Sequence, residues 1–216
     1  MTWYRNNWYY VGGIIFVILA FAVTLFGGEM DPLRKIMLLS FMALTLHQFE
    51  EYVLPGGFPM CWNMGVVGEM ERPESYLLNK KSAFVCNVVC MYPLYIAAII
   101  WCEFYLLGLV TMYFHITQII MHGIIINKKL HTKYNPGMGT IIFVMIPLGI
   151  YYICYIAQNC DVPGWNWWVA ILLLPIIAAS TLLLPMKIFG DKNSPYKWTE
   201  AETKKFNVRD KLAKIK

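Results

Sequence analysis

His47, Glu50 and Glu51 stand within five consecutive residues, inside a run whose other members are mostly apolar. An imidazole and two carboxylates at that spacing are donors for a divalent metal ion, or an acid and a base for moving a proton. At the helical period the three fall within an arc of about 100°, so all of them can face one interior. A second run carries Thr111, His115, Gln118 and His122, which share an arc of about 60° on the same construction. An ionisable side chain at membrane depth costs about 2.5–3.5 kcal/mol on insertion scales, so the two stripes are expected to satisfy one another.

The elements that must position them are set by composition. The chain has 216 residues, of which 58% are hydrophobic and 14% charged, with a mean hydropathy of +0.51. An ordinary soluble domain carries about 25% charged residues, so that class is excluded. The pattern predicts an all-α polytopic membrane bundle of about six transmembrane helices over residues 1–189, followed by a basic cytoplasmic tail over 190–216. The expected spans are 9–27, 35–54, 84–101, 103–127, 138–158 and 165–187, each near the ~20 residues that cross a bilayer core. Trp101, Cys102 and Glu103 interrupt one long apolar stretch. A hairpin is expected there, because a continuous helix over 84–127 would be about 66 Å long.

Orientation follows from the basic residues. With the N-terminus inside, 16 of the 18 Lys and Arg residues fall on the cytoplasmic side and only Arg34 and Lys35 outside, which predicts cytoplasmic termini. Trp3, Tyr4, Trp8, Tyr9 and Tyr10 form an interfacial belt at the start of an uncleaved first span. The tail is either solvated or an amphipathic helix held on anionic lipid, and nucleic acid is not an expected partner. The six cysteines lack zinc-finger spacing. Cys102 and Cys160 both approach the outer face, where a disulfide is one option.

Depth then brings the polar stripes together. His47 and Glu51 lie about 10 and 5 Å from the inner end of the second span, and His122 about 8 Å from the inner end of the fourth. His115 lies about 18 Å from it, one to two turns deeper. His47, Glu50, Glu51, His115 and His122 are therefore candidate metal ligands, zinc before iron. Glu51 or Glu50 is the candidate acid or base, and Gln118 an orienting donor. Two other readings stay open: a His–Glu network that only locks helix packing, and a proton or ion pathway. His131 and Asn135 sit at the mouth of the site, beside an Asn-Pro-Gly turn over 135–137. The apolar loop 58–84 either lies on the membrane or covers the site as a lid. The expected function is a metal-dependent hydrolase or transferase acting on a lipid or small hydrophobic substrate, with a small transporter and a scaffold as alternatives.

His47-x-x-Glu50-Glu51, then Tyr52 and the Pro-Gly-Gly-Phe-Pro turn over 55–59, together with His115, His122, the 134–137 turn and Ser194-Pro-Tyr196, resemble an uncharacterised bacterial and archaeal membrane family named for its His-x-x-Glu-Glu motif. The resemblance implies a prokaryotic cell membrane and makes His47, Glu50 and Glu51 the residues to test. It implies no particular reaction.

Overall fold

The computed structural model describes residues 2–215, which form helices and connecting turns with no strand among the described residues. Six long helices, α1 (Thr2–Phe26), α2 (Pro32–Tyr52), α4 (Lys80–Ile100), α5 (Tyr105–Leu130), α6 (Met138–Asn159) and α7 (Gly164–Phe189), make a bundle. A short helical segment α3 spans 58–66, and two short helices, α8 (Glu200–Thr203) and α9 (Val208–Ala213), follow the last long one. The hairpin at 101–104 separates α4 from α5, as its polar interruption predicts. Five of the six long helices are apolar enough to cross a membrane by composition alone. The exception is α2, which carries Arg34 and Lys35 at one end and Glu50 and Glu51 at the other. It is nonetheless 21 residues long, about 31 Å, and thirteen of its side chains are buried. Protein surrounds Ser40, Thr45, His47, Gln48 and Glu51.

Local chemistry sets the helix ends. Asp31 caps α2 by accepting from the Arg34 amide at 2.9 Å, with Pro32 in the first turn. Asn79 and Ser82 form a reciprocal capping box at the start of α4. Between them α2 and α4 are joined by a polar ladder: Tyr92 donates to Gln48 Oε1, Gln48 to Asn87 Oδ1, and Asn87 to the Tyr52 hydroxyl, all at 3.0–3.2 Å. Such bonds average about 0.6 kcal/mol between membrane helices, so the ladder fixes register more than it stabilises. On the other side α1 lies close to α2, because a Cβ at Gly13 would come within 2.8 Å of the Phe49 ring. Cys102 and Cys160 are free thiols; the optional bridge between them is not formed.

The segment after α7 packs back on the end of the bundle where α2 and α5 finish and α4 and α6 begin, here called the basic end. Trp198 is buried and donates its indole N–H to Leu78 O at 2.7 Å. Lys205 Nζ donates to the carbonyls of Tyr52 and Val53 at 3.1 and 3.0 Å, closing the C-terminus of α2. Glu202 pairs with Lys80 at 2.8 Å and accepts from the Tyr9 hydroxyl at 2.8 Å. Lys192 pairs with Glu69 at 2.6 Å.

These contacts carry a pH prediction. Partial burial pushes the Glu202 carboxyl up, but Lys80, Thr199 and Tyr9 together outweigh it and hold the carboxyl below its ordinary value. Lys192 beside Glu69, helped by the Arg72 amide, lowers that carboxyl to about 2. Both folded values are depressed, so the docking they support is complete above the ordinary carboxylate range and is lost as pH falls through each depressed value. Pepsin cleavage within 191–215 is expected to be slow at about pH 5 and to accelerate progressively below about pH 4. A Glu202→Gln variant should expose the segment already at neutral pH. Cleavage that is independent of pH in the wild type contradicts this account.

Candidate metal centre

Three of the candidate residues meet in one buried cluster. His47 and Glu51 stand one turn apart on α2, and His122 reaches them from α5. Glu51 Oε1 lies 3.6 Å from His47 Nε2 and 3.5 Å from His122 Nε2. All three residues are at most 5% exposed, and their donor atoms lie within 4.8 Å of one another. The separations exceed the 2.7–3.2 Å of a normal N–H···O hydrogen bond. The two carboxylate–imidazole separations are near the roughly 3.4 Å between neighbouring donors of a tetrahedral ion with bonds of about 2.1 Å, and small side-chain shifts would draw the whole set onto an ion.

The far nitrogens of both rings are already occupied. His47 Nδ1 lies 3.1 Å from Gly137 O and 3.0 Å from Thr140 Oγ1, and His122 Nδ1 lies 2.8 Å from Asn135 Oδ1. A carbonyl can only accept, so each Nδ1 carries a proton, and in the neutral ring each Nε2 then turns a lone pair toward Glu51. This is the tautomer and orientation that a metal-ligating histidine takes from its outer hydrogen bond. Phe58 of α3 completes the enclosure, its ring stacked on His122 with centroids 5.1 Å apart and planes at 19°. The donor set of two imidazoles and a carboxylate fits a divalent ion and leaves coordination positions open.

One loop supplies the acceptors for both histidines. Asn135 is fully buried, and its amide donates to His122 O at 2.7 Å and to Asn127 Oδ1 at 2.8 Å, which locks its oxygen toward the ring. Gly137 sits at φ +101°, a conformation that glycine alone adopts freely. Glu50 fastens the far side of the loop. Its carboxylate accepts from the amides of Gly139 and Thr140 at 3.0 and 2.7 Å, from the Thr140 hydroxyl at 2.7 Å and from the Tyr134 hydroxyl at 2.8 Å. It therefore caps the N-terminus of α6, where orphan amides and the helix dipole both favour an anion.

The cluster opens into a cavity of about 350 Å³, within the usual range for small-molecule sites. His47, Glu51 and His122 occupy its polar end, while α4, α5 and α7 contribute a wall that is mostly apolar.

The family described as "Protein of unknown function with HXXEE motif" matches residues 38–152. The chain belongs to this HXXEE family. No curated protein matches the chain, and no solved structure does.

The three residues that name the HXXEE family do two different jobs here. His47 and Glu51 face the centre, whereas Glu50 is turned toward α6 and is not one of the three grouped donors. His115, the other expected ligand, also stands apart. It lies seven residues from His122 along α5, about 10 Å, and stacks on Tyr95 of α4 with ring centroids 5.4 Å apart. Both of its ring nitrogens are buried without a hydrogen-bond partner among the described residues. Gln118 is half-buried on the cavity wall. His131 closes α5 at φ 49° and is exposed. Asn135, placed by its sequence at the mouth, is instead the buried partner of His122.

Sequence reasoning did not find Gly137, Thr140, Tyr134 or Phe58. The available signal was the polar 134–140 segment itself, because a buried ligand histidine needs an acceptor for its second nitrogen. The Asn-Pro-Gly turn was the nearest source. For His115 the expectation is now a tolerated substitution. His115→Leu removes two unpartnered buried nitrogens, so it should retain the full metal content and unfold no earlier than wild type. Elemental analysis with thermal unfolding in detergent checks this, and loss of metal in the variant refutes it.

Proposed function

We propose that this protein is a membrane-embedded metal-dependent enzyme, a hydrolase or transferase acting on a lipid or another membrane-partitioned small molecule. The observation that carries the proposal is the joining of a two-histidine, one-carboxylate donor set to a largely apolar cavity. Zinc is the first choice of ion for that set and ferrous iron the second. A divalent ion bound there supplies Lewis acidity toward a substrate oxygen and toward water.

The chain's own groups do the rest. His47 and His122 hold the ion through Nε2, each kept in orientation by the 135–140 loop. Glu51 offers Oε1 to the ion and its second oxygen to a proton, a role open to it because it is enclosed beside the reacting position. Gln118, on the cavity wall, orients the polar part of the substrate. Phe58, Trp62 and Tyr52 shield this end from bulk water, which strengthens every charge interaction inside. The positive-inside rule puts the basic end, and with it the centre, on the cytoplasmic side.

A scaffold built only on packing has less support. A structural His–Glu network would close its bonds at hydrogen-bonding distance, whereas both Nε2 atoms stand at 3.5–3.6 Å. Transport finds one favourable observation, the unpartnered polar atoms of Ser40, Tyr95 and His115. Beyond them lie only the buried Thr111 and the unpartnered Tyr152 hydroxyl near Gly108, set among Leu109, Val110 and Met112 of α5, which are packed in the core; among the described residues no ionisable histidine, aspartate or glutamate continues the path there.

Purified wild type is expected to hold metal in stoichiometric amount, and His122→Ala and Glu51→Gln to lose it at least about 100-fold in affinity. Elemental analysis after chelator challenge measures this. Metal-free wild type that is normally folded would sink the proposal.

A further inference from the structure

We propose that the cavity is a ruler for one hydrocarbon chain, taking a single-chain amphiphile with its polar head at the metal centre and its chain end against Leu44, Met91, Phe114 and Leu174. The proposal rests on the reading of the site given above and deepens it by naming the number, direction and length limit of the chain.

The dimensions are the first support. Along α7 the lining extends from Met186 to Leu174, twelve residues or about 18 Å. A volume of about 350 Å³ open to atom centres, spread over that length, gives a column of centres roughly 5 Å across. Carbon atoms in contact sit about 3.5–4.0 Å apart, so one chain fits with freedom to settle against the wall and two side by side are crowded.

Direction follows from the lining. The ionisable groups His47, Glu51 and His122 are gathered at one end, and none lines the other. His122 and Phe114 are eight residues apart on α5, about 12 Å, so the two ends are separated along the membrane normal. At the deep end α2, α4 and α5 form a packed wall, faced across the cavity by the half-buried Leu174 of α7. Leu44, Met91 and Phe114 are buried at 3%, 1% and 5% and belong to one packed cluster between α2, α4 and α5. Entry is from the side: Ile120 of α5 and Leu183 of α7 line the cavity and are 50% and 45% exposed on the flank of the bundle. An amphiphile can pass between them without its chain leaving the bilayer.

Because the chain moves from one apolar medium into another, hydrophobic transfer contributes little to choice. Fit decides it instead. A short chain leaves wall atoms without contacts, and a long one meets packed side chains that yield poorly.

The test uses full-length metal-loaded protein in nanodiscs and n-alkyl hydroxamic acids of graded chain length, whose head chelates metal. Affinity in the wild type should rise with length to an optimum and then fall by about tenfold or more. Phe114→Ala should move the optimum to longer chains and Leu174→Trp to shorter ones, with metal content unchanged in both. Should Phe114→Ala fail to fold, Leu174→Trp on the outer helix still decides. Affinity indifferent to length, or an optimum that neither variant moves, overturns the ruler while leaving the metal centre standing. Two-chain glycerolipid hydroxamates that bind as tightly as the best single-chain compound also overturn it. Wild type without metal and without hydroxamate binding overturns the underlying reading, and the ruler with it.

Discussion

Gly137→Ala should abolish metal binding while changing no ligand. A Cβ at this position would lie 2.6 Å from His122 Cε1 and 2.7 Å from His47 Cε1, closer than real Cβ contacts. Both rings must then move, and they are pinned on their other nitrogens by Gly137 O and Asn135. The backbone adds its own penalty, since a non-glycine residue at φ +101° costs about 1–3 kcal/mol. The expected result is a loss of metal affinity above about 100-fold, with a clear fall in thermal stability. Gly68→Ala is the control. Gly68 also has positive φ, at +80°, yet its Cβ would meet nothing within 4 Å. That variant should lose some stability and keep its metal. Stoichiometric metal in Gly137→Ala would show that the 135–140 loop does not set the two histidines.

The second large effect separates the adjacent glutamates. Glu50→Ala leaves two amides at the start of α6 and the hydroxyls of Thr140 and Tyr134 without their common acceptor. A loss of about 2–4 kcal/mol is expected, because several of these are hydrogen bonds to a charged group. Most of that loss should persist with chelator present. Glu51→Ala should behave oppositely: it forfeits the stabilisation by bound ion, about 4 kcal/mol at a thousand times the dissociation constant. In chelator it should match the wild type or exceed it, since a buried carboxylate without a close hydrogen bond has been removed. Thermal unfolding of both variants with and without chelator measures the contrast. Equal responses of the two to chelator would refute the division of labour.

That division marks the limit of what spacing reveals. A helical wheel places His47, Glu50 and Glu51 in one arc, but the two glutamates lie at its opposite edges, and α6 stands on the Glu50 side close enough to claim it. Which neighbour flanks an arc is a tertiary fact. His115 stands apart for a related reason. It shares a face and nearly a vertical line with His122, yet one helix face can address two partners at different depths, and α4 presents Tyr95 at the upper one. His122 and Glu51 lie at one depth because the ends of α2 and α5, legible in the sequence, fall at the same face of the bundle. The helices themselves were legible through apolar length. In α2 the polar residues that weaken its hydropathy also mark its purpose. The charge-rich composition of the tail described its solvent-facing side chains and concealed Trp198, which is buried at 4%.

The docking of 191–215 has a consequence for biogenesis. This segment is synthesised after every helix it covers, so the six long helices can assemble while the basic end is still uncovered. Lys205 closes the last turn of α2 only then, and Trp198 settles beside Tyr52 with ring centroids 5.7 Å apart. The last turn of α2, which carries Glu51 and Tyr52, is therefore uncovered at its end while the later helices are being made and closed afterwards.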